Sequence, residues 1–334
     1  MDIFNLDDLK QLYIPPPGSH KGQNGKLLII GGSHLFHAAS LWSLQIASKI
    51  VDMVFYSSVP ENNEIVERAK EEFRNGMVVL RKDLEDYVKE ADAILIGPGM
   101  VRTEQVQSSK FKVQSLEDIN EIEDEGMQTY YLTKYLLGKY PEKKWVIDAG
   151  ALQMMEPEWL LPLNGNAILT PHPQEFERVF HVTRDMAHVT GEENMLPVTS
   201  YVSQMAEKYN CTILLKGEKD TVCSPFDSAQ AVRGSEEPSG SRRGEIRCNR
   251  ISGGNAGMTK GGTGDVLAGL VAALACNNDL WLAATAGSFI NKKAGESLFK
   301  KVGYYFNASD LAEEIPKVMN QLITHPSPPF TGRE

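Results

Sequence analysis

The sequence predicts a three-layer α/β/α fold in which helices cover both faces of a mostly parallel central sheet. Short apolar runs alternate with longer helix-like segments, which is the pattern of a parallel α/β protein. Several of these runs are apolar at every position, as expected for strands that are buried on both faces. A length of 334 residues with 42% hydrophobic and 23% charged side chains is ordinary for a globular chain of one or two domains.

Each predicted strand is a short, mainly apolar run of three or four residues. In chain order the predicted strands are Leu27–Ile30, Met53–Tyr56, Met77–Leu80, Ala93–Ile96, Trp145–Ile147, Ala167–Leu169 and Thr212–Leu215. Longer segments between and after them are typical of helices. The predicted helices are Ala38–Ile50, Asn62–Phe73, Thr129–Leu137, Gln174–Phe180, Ser200–Tyr209, Asp265–Cys276, Leu280–Lys300 and Ser309–Leu322.

The chain shows no linker between two cores and no internal repeat, so we expect one domain over residues 1–324. Two stretches are interpreted as insertions. Residues 102–127 contain six acids between Glu117 and Glu125, which favour a solvated face. Residues 226–247 are rich in glycine and serine, which predicts a mobile surface loop. The proline-rich residues 325–334 are expected to form a flexible tail.

The charge balance and the cysteine content narrow the class of protein. A net charge of −10 argues against a nucleic-acid or anionic-membrane surface, although it leaves room for a small nucleotide. The four cysteines, Cys211, Cys223, Cys248 and Cys276, form no metal-binding spacing and are expected to be reduced thiols. The acidic start MDIFNLDDLK lacks the pattern of a signal peptide, and no apolar run is long enough to span a membrane. We therefore expect a cytoplasmic enzyme.

The most informative segment is the glycine-rich stretch GGNAGMTKGGTGDVLAG at residues 253–269, which leads directly into an apolar helix. A glycine loop lets backbone N–H groups approach an anion, and the following helix directs its positive end to the same point. Asp265 could instead only cap that helix. The segment is not a P-loop, because no Gly-Lys-Ser/Thr closes it, and Leu267 breaks the dinucleotide motif G-x-G-x-x-G. The density of glycines favours phosphate chemistry over a simple cap.

Other polar or glycine-rich loops lie beside the predicted strands. They are His20-Lys21-Gly22, Gly31-Gly32-Ser33, Gly97-Pro98-Gly99, Asp148-Ala149-Gly150, Thr170–Pro173 with Glu175, and Lys216-Gly217. In an open parallel sheet the carboxyl ends of the strands line the crevice in which ligands bind. We expect Lys21, Lys216 and Lys260 to bring positive charge to that crevice, suited to a polyphosphate.

These motifs resemble one enzyme family. The stretches HKGQNGKLLIIGGS, IGPG, VIDAGAL, LTPHPQEFERVF, LLKG and GGNAGMTKGGTGDVLAGL, in this order over residues 15–315, look like those of the ADP/ATP-dependent NAD(P)H-hydrate dehydratases of the ribokinase-like superfamily. The resemblance implies a ribokinase-like fold and a repair reaction on the S epimer of hydrated NADH or NADPH. In that reaction the C6 hydroxyl is phosphorylated at the expense of ADP or ATP, and phosphate is then eliminated. Phosphate leaves readily where hydroxide does not.

The resemblance also implies roles for individual residues. Asp265 would accept the proton of the C6 hydroxyl and contact the hydrate, and Gly261 to Gly264 would surround the transferred phosphoryl group. The hydrate pocket would be lined by Ala39, Gly97, Gly99, His172 and Glu175. The adenine nucleotide would be held by Lys216, Gly217, Glu218, Lys219, Asp220, Asn255, Gly257, Met258, Thr259, Lys260, Gly261, Gly262, Thr263 and Gly264. A carboxylate at a helix N-terminus is expected to have a lowered pKa, which predicts an ionised Asp265 at neutral pH.

The family further implies Mg²⁺ as a charge neutraliser, although the sequence offers no ligand set for it. It implies a homo-oligomer and, because no epimerase domain is recognised in these residues, a separate NAD(P)H-hydrate epimerase as functional partner. The residues do not decide between ADP and ATP or between NADH and NADPH hydrate. We prefer ADP, because stand-alone chains of this kind resemble the prokaryotic members.

Two other functions stay open at this stage. The glycine loop also suits a kinase of the same superfamily that acts on a vitamin-like alcohol, although TPHPQEFERVF and HKGQNGK favour the dehydratase. A non-catalytic nucleotide-binding regulator would need no base, so the presence of Asp265 argues against it. The role of Lys260, where a small residue is usual, is either functional or that of an exposed side chain.

Overall fold

Ten strands form a single sheet in the computed structural model, which describes residues 2–69, 74–104, 106, 112–182, 195–225 and 246–324. The strands are β1 (Asp2–Ile3), β2 (Lys26–Ile30), β3 (Met53–Ser57), β4 (Met77–Val78), β5 (Ala93–Ile96), β6 (Lys144–Ile147), β7 (Ala167–Leu169), β8 (Thr212–Leu215), β9 (Asp220–Pro225) and β10 (Ile246–Ile251). Their spatial order is β1-β10-β9-β8-β7-β6-β5-β2-β3-β4. All neighbouring pairs are parallel except β8–β9 and β9–β10. The predicted mostly parallel sheet is confirmed.

Helices connect the strands and follow the last of them. They are α1 (His37–Ala47), α2 (Pro60–Ala69), α3 (Leu84–Glu90), α4 (Leu116–Asn120), α5 (Glu125–Lys139), α6 (Ala149–Met154), α7 (Pro173–Phe180), α8 (Met195–Lys208), α9 (Thr263–Asn277), α10 (Leu280–Val302) and α11 (Ala308–Met319). Short 3₁₀ segments cover Leu6–Gln11, Arg81–Asp83, Pro157–Leu163 and Ala256–Thr259. Within the described ranges, no helix is long and apolar enough to cross a membrane.

Two hydrophobic cores lie on opposite faces of the sheet. Leu27 and Ile29 of β2 pack into the core shared with α1, α9, α10 and α11. Leu28 and Ile30 of the same strand point to the other core, which contains side chains of α3, α5, α6, α7 and α8. Successive side chains of a strand alternate between faces, so a strand that is apolar throughout needs a helical layer on each side. This arrangement is the expected three-layer α/β/α fold.

The strands β9 and β10 are absent from the sequence-based prediction because they carry many polar residues. Asp220, Thr221 and Ser224 are nevertheless buried in β9, where the Ser224 hydroxyl lies 2.8 Å from that of Thr212 in β8. The loop predicted over residues 226–247 is wrong at its end, since β10 begins at Ile246. Residues 226–245 lie outside the described part of the chain, as does the predicted tail at 325–334.

Several short elements also differ from expectation. The helices α3, α4 and α6 span only seven, five and six residues, too few for an apolar period to be visible in the sequence. The strand expected at Met77–Leu80 ends at Val78. Within the acidic stretch, Leu116, Ile119 and Ile122 are buried in a core, so only its charged side is solvated.

The expectation of four reduced thiols is wrong for one pair. Cys223 and Cys248 lie opposite each other in the antiparallel pairing of β9 and β10, with Cα atoms 4.2 Å apart, and form a disulfide. Cys211 and Cys276 are buried free thiols. The pairing follows from the strand register, which a sequence separation of 25 residues does not reveal.

We expect the disulfide to be detectable by thiol counting. Protein unfolded in denaturant without reductant should expose two thiols, Cys211 and Cys276, instead of four. The Cys223→Ser/Cys248→Ser double variant should lose about 3 kcal/mol of unfolding free energy, because the crosslink no longer restricts the unfolded chain. A count of four thiols in freshly purified protein would contradict this prediction.

The β9–β10 pair also joins two loops that matter for the site. Asp220 at the start of β9 pairs with Ile251 at the end of β10. The loop between β8 and β9 therefore ends beside the last residue of β10, after which the glycine-rich stretch begins. This register places both loops at the same end of the molecule.

Candidate active site

The loops that leave the carboxyl ends of β5 to β8 meet at one edge of the sheet. Directly after β8, the backbone N–H of Lys216 donates to the carbonyl of Pro171 after β7, at 2.8 Å. The N–H of Gly150 after β6 donates to the carbonyl of Gly97 after β5, at 3.2 Å. Segments far apart in the chain thus form one crevice at the position where open parallel sheets bind ligands.

Glycine is required at the turn after β5. Gly97 has φ +124°, and a Cβ atom at this position would lie 1.8 Å from the carbonyl oxygen of Asp148. Gly99 has φ +72°, and a Cβ atom there would lie 3.0 Å from that of Ala39 in α1. Left-handed backbone and close approach together leave room only for glycine. Of the residues predicted to line the hydrate pocket, Ala39 and Gly99 are therefore neighbours, and Gly97 lies against Asp148.

The glycine-rich stretch is held by its own side chains. Asn255 begins a 3₁₀ turn and donates from its amide to the carbonyl of Gly295 in α10, at 2.8 Å. The hydroxyl of Thr263 donates to the carbonyl of Met258 at 2.6 Å. These bonds fix the loop between β10 and α9, and the N–H of Thr263, the first residue of the helix, also donates to the carbonyl of Lys260 at 3.3 Å.

The helix α9 begins at the crevice. Gly262 precedes it with φ +93°, packed so closely on the Trp42 ring that a Cβ atom would come within 2.4 Å. In the first turn, the position of a Cβ atom on Gly264 lies 3.7 Å from Nζ of Lys216. The first N–H groups of a helix have no partner within it and carry partial positive charge. The helix terminus and the Lys216 ammonium therefore provide two adjacent positive groups that can face a phosphate.

Lys216 lies between two buried carboxylates. Its Nζ is 2.9 Å from Oδ1 of Asp148 and 3.9 Å from Oε2 of Glu175, side chains that are 2% and 5% exposed. The Thr170 hydroxyl donates to the same Asp148 oxygen at 2.8 Å, and the Gln153 amide donates to Glu175 at 3.0 Å. Burial lowers the pKa of Lys216, but the two carboxylates outweigh it and leave that pKa above its ordinary value.

The expected lowered pKa of Asp265 is wrong. Burial raises it, the charges of Asp148 and Glu175 raise it further, and Lys216 opposes them only in part, so the pKa of Asp265 lies at about 7. The helix N-terminus lowers the pKa of Asp265 by less than burial and the neighbouring carboxylates raise it. Asp265 is therefore a stronger base than an ordinary aspartate and is still ionised in part at neutral pH.

His172 and Glu175 form a reciprocal cap at the start of α7. Nδ1 of His172 accepts from the backbone N–H of Glu175 at 3.2 Å, and Oε2 of Glu175 accepts from the backbone N–H of His172 at 3.0 Å. The other ring nitrogen of His172 lies 3.4 Å from Oε1 of Glu175. The predicted pocket residue His172 is thereby fixed in orientation, with its ring at the crevice beside Glu175.

A lysine of α10 anchors the segment Lys216–Asp220. Lys292 of α10, only 5% exposed, donates from Nζ to the carbonyls of Gly217 and Glu218 at 3.1 Å each and lies 3.2 Å from Asp220. The carboxylate of Asp220 also accepts from the N–H of Gly217 at 2.9 Å. Asp220 thus shapes the loop, whereas Glu218 is exposed and Lys219 is half-buried.

Lys260 does not extend freely into the crevice. Its Nζ donates to the carbonyls of Tyr304 and Phe306, at 2.5 Å and 2.6 Å, and so ties the glycine-rich stretch to the segment that follows α10. Its neighbours Thr259 and Gly261 are exposed, and Gly257 is buried. Lys260 therefore anchors the glycine-rich stretch, a role that the sequence did not predict.

The expectation that Lys21 contributes to the crevice is wrong. The loop around Lys21 precedes β2, and the N–H of Gly22 donates to Asp52 at 2.8 Å. A Cβ atom on Gly25 would lie 2.8 Å from Nδ2 of Asn277, the last residue of α9. Since α9 spans 15 residues, this loop is about 20 Å from the crevice, at the opposite edge of the sheet.

Sequence reasoning missed two residues that organise the site. From the sequence, Asp148 was placed only in a loop after a strand. An aspartate directly after a buried apolar run could have indicated a site residue at the carboxyl end of that strand. Lys292 carries a stronger signal, because a lysine within an apolar helix must find a buried partner. Both partners, Lys216 and Asp220, are distant in sequence, so the pairings themselves become visible only in the fold.

The described part of the chain holds no group of three or more His, Cys, Asp or Glu side chains arranged to bind a metal ion. Asp148 and Glu175, the nearest candidates, are engaged with Lys216. The site residues therefore do not fit a metal held by the protein alone. Mg²⁺ commonly keeps several waters and binds through substrate phosphates, a mode that needs no such cluster.

Comparison with known proteins gives a consistent result. A family model described as NAD(P)H-hydrate dehydratase matches residues 27–317. The bifunctional NAD(P)H-hydrate repair enzyme of Methanocaldococcus jannaschii is 32% identical over 325 residues, which are 95% of this chain but 52% of that protein. The ADP-dependent (S)-NAD(P)H-hydrate dehydratase of Cenarchaeum symbiosum is 29% identical over 95% of this chain and 96% of its own length. The chain thus spans about half the length of the bifunctional relatives.

Solved structures share the fold. A ribokinase-like superfamily protein of Enterococcus faecalis superposes with a TM-score of 0.70 at 20% identity, covering 96% of each chain. The ADP/ATP-dependent NAD(P)H-hydrate dehydratase of Bacillus subtilis, co-crystallised with ATP and Mg²⁺, gives a TM-score of 0.66 at 19% identity over 96% of this chain and 98% of that one. The ribokinase-like fold implied by the sequence motifs is confirmed.

Proposed function

Because the chain belongs to the NAD(P)H-hydrate dehydratase family, we propose that it converts the S epimer of hydrated NADH or NADPH back to NAD(P)H at the expense of ADP or ATP. The observation that carries the proposal is the position of Asp265. It lies in the first turn of α9, beside an ammonium group that two buried carboxylates hold. A base and a phosphoryl-binding site are thus adjacent, as phosphorylation of a hydroxyl requires.

In the first step Asp265 accepts the proton of the C6 hydroxyl while the hydroxyl oxygen attacks the terminal phosphoryl group. Burial keeps the pKa of Asp265 at about 7, which makes the carboxylate a useful base. The N–H groups at the start of α9 and the Lys216 ammonium balance the charge of the phosphoryl oxygens. Gly261 to Gly264, at the start of the helix, leave space for the group to approach.

In the second step the phosphorylated hydrate loses phosphate. The ring nitrogen lone pair forms a double bond to C6 as the C6–O bond breaks, and C5 then loses a proton to restore the C5–C6 double bond. Two protons leave the hydrate for each cofactor repaired, one from the hydroxyl and one from C5. The departing phosphate takes up one of them, so one proton is released to solvent. We propose that Asp265 and Glu175 are the carboxylates near the reacting ring, and that Ala39, Gly97, Gly99 and His172 form the walls of the hydrate pocket.

The adenine nucleotide is proposed to lie across the segments 216–220 and 255–264, which the β9–β10 pairing brings together. Mg²⁺ would enter with the nucleotide phosphates and reduce their charge. This view is supported by the B. subtilis enzyme, which was crystallised with ATP and Mg²⁺. ADP is favoured over ATP because two of the relatives that match over most of their length are named as ADP-dependent enzymes.

We also propose a cytoplasmic homo-oligomer over residues 1–324 that works with a separate epimerase. What supports an epimerase partner is that the relatives of which this chain covers about half are named bifunctional NAD(P)H-hydrate repair enzymes. The exposed Leu35 and Phe36, at 61% and 55%, lie beside the crevice and suit a contact between subunits. Sedimentation of the purified protein tests the oligomer directly.

Incubation with NADH hydrate tests the activity. With ADP or ATP present, we expect the absorbance of the reduced nicotinamide to return, with one AMP or ADP formed for each NADH. Parallel reactions with the two nucleotides decide the phosphoryl donor. If absorbance does not return and the protein phosphorylates a stable alcohol instead, the kinase alternative replaces this proposal.

The proposed base predicts the pH dependence of turnover. Only ionised Asp265 accepts a proton, so kcat/KM should fall about tenfold for each pH unit below the pKa of Asp265, near 7. Initial rates between pH 5 and pH 9, with hydrate stability measured separately, give this profile. A rate that stays level down to pH 5 would contradict a base with a raised pKa.

A further inference from the structure

Asp148 occupies the position of a helix cap but does not act as one. It immediately precedes α6 with extended backbone dihedral angles, where an aspartate usually accepts from the N–H groups of the first turn. No such bond forms here. Oδ1 instead accepts from the Thr170 hydroxyl at 2.8 Å and from Nζ of Lys216 at 2.9 Å. The side chain is turned from the helix towards the crevice.

The backbone around Asp148 supports a fixed orientation. Ala149, the next residue, has φ +43°, a left-handed conformation that is unfavourable for a non-glycine residue. The carbonyl of Asp148 fills the space against Gly97, so the chain cannot relax in that direction. Strained positions of this kind persist where surrounding contacts hold them, and they cluster at functional sites.

Asp148 is also the nearer of the two carboxylates around Lys216. Its oxygen is 2.9 Å from Nζ, against 3.9 Å for Glu175. A lysine side chain has four rotatable bonds, so its ammonium stays at one point only if a partner holds it. The charged groups that interact with Asp265 are Asp148 after β6, Glu175 of α7 and Lys216 after β8, while α1 contributes only the Ser43 hydroxyl, which donates to the Asp265 carbonyl.

We propose that Asp148 is a positioning residue that holds the Lys216 ammonium against the start of α9, where it meets the phosphoryl group transferred from the nucleotide. The inference rests on the proposed function and deepens it. Asp148 does not touch the substrate in this view, but acts through Lys216 and through its negative charge beside Asp265. Its removal should therefore change both the rate of phosphoryl transfer and the proton affinity of the base.

The Asp148→Asn variant is the first test. It keeps the shape of the side chain but weakens the bond to Lys216 and removes one negative charge beside Asp265. We expect kcat to fall about 30-fold with KM for ADP changed less than threefold, because the group acts on the transition state. We also expect the acid limb of the pH profile to move down by about one pH unit. Thr170→Val, which removes a hydrogen bond to Asp148 but no charge, should leave the acid limb in place.

A second measurement does not depend on hydrate turnover. The ¹³C resonance of the Asp265 carboxyl group, assigned by its loss in Asp265→Asn, reports protonation directly. Its midpoint should be lower in Asp148→Asn than in the wild-type protein and unchanged in Thr170→Val. If the titration midpoint of Asp265 moves but the protein has no dehydratase activity, the electrostatic coupling between Asp148 and Asp265 stands and the proposed function is refuted. An unmoved midpoint together with an unmoved acid limb would overturn the role of Asp148.

The Asp148→Glu variant covers the case in which Asp148→Asn does not fold. It preserves the charge but displaces the carboxylate by one methylene group. We expect kcat to fall at least fivefold with an unchanged acid limb, because Lys216 is displaced while the field at Asp265 persists. Full activity of Asp148→Glu would show that the position of Lys216 does not depend on Asp148 and would refute the proposal.

Discussion

The Asp265→Asn variant should lose about 10³-fold in turnover while it still binds ADP and ATP. Asparagine has nearly the same shape but cannot accept the proton of the C6 hydroxyl. In the proposed site the nucleotide is held by the two loops around the crevice and does not need that carboxylate. Turnover measured by recovery of reduced nicotinamide, and nucleotide binding measured by calorimetry, separate the two effects.

The same substitution should not destabilise the protein at alkaline pH. Burial raises the folded-state pKa of Asp265 from an ordinary 3.8 to about 7. A carboxyl group with a raised folded-state pKa takes up protons in the folded state, so its contribution to stability declines as pH rises from about 4 to 7. Above pH 7 the neutral asparagine therefore avoids a burial cost that the wild-type carboxylate carries.

Asp86→Asn is a matched control, because Asp86 lies on α3 with its side chain 82% exposed and forms a surface ion pair with Lys89. Its turnover and stability should equal those of the wild-type protein. If Asp265→Asn turns over at more than a tenth of the wild-type rate, another group accepts the proton and the assignment of Asp265 as the base is wrong.

The sequence was sufficient for the part of the fold that hydrophobic burial determines. Runs such as Leu27–Ile30 and Ala93–Ile96 are apolar on both faces and became central parallel strands. β9 escaped prediction because its burial depends on partners that no local pattern contains, such as the Ser224 hydroxyl beside Thr212. The disulfide between Cys223 and Cys248 was missed for the same reason, since it follows from a strand register.

The candidate site shows the same division between local and long-range information. Loop positions after strands were sufficient to place Gly97, His172 and Lys216 at one edge of the sheet. The proton affinity of Asp265 was not accessible, because a helix terminus alone predicts a lower pKa and the opposing carboxylates come from distant segments. Lys21 was misplaced because its loop precedes β2, at the amino edge of the sheet, so proximity to a strand did not indicate which end it occupies.

The Lys216→Met variant should show the second large effect, on stability as well as on turnover. Methionine reproduces the apolar stem of lysine as far as Cε but removes the only cation within hydrogen-bond reach of Asp148 among the described residues. Breaking one partner of a buried ion pair leaves an uncompensated charge, which costs about 3–5 kcal/mol. We expect that loss of unfolding free energy at pH 8, and turnover reduced more than 100-fold because the phosphoryl oxygens lose a charged partner.

The cost of Lys216→Met should depend on pH in a definite direction. Lys216 opposes the rise in the pKa of Asp265, so its removal raises that folded-state pKa above 7. A raised pKa of a carboxyl group gives stability that is present at low pH and is lost as pH increases. The difference in unfolding free energy between variant and wild type should therefore be smaller at pH 5 than at pH 8, and nucleotide binding can be measured where the variant is folded.

Lys89→Met, at a side chain that is 60% exposed, is the control and should change the unfolding free energy by less than about 0.5 kcal/mol at either pH. A Lys216→Met variant as stable as Lys89→Met at pH 8 would mean that the carboxylates of the crevice do not depend on this ammonium group.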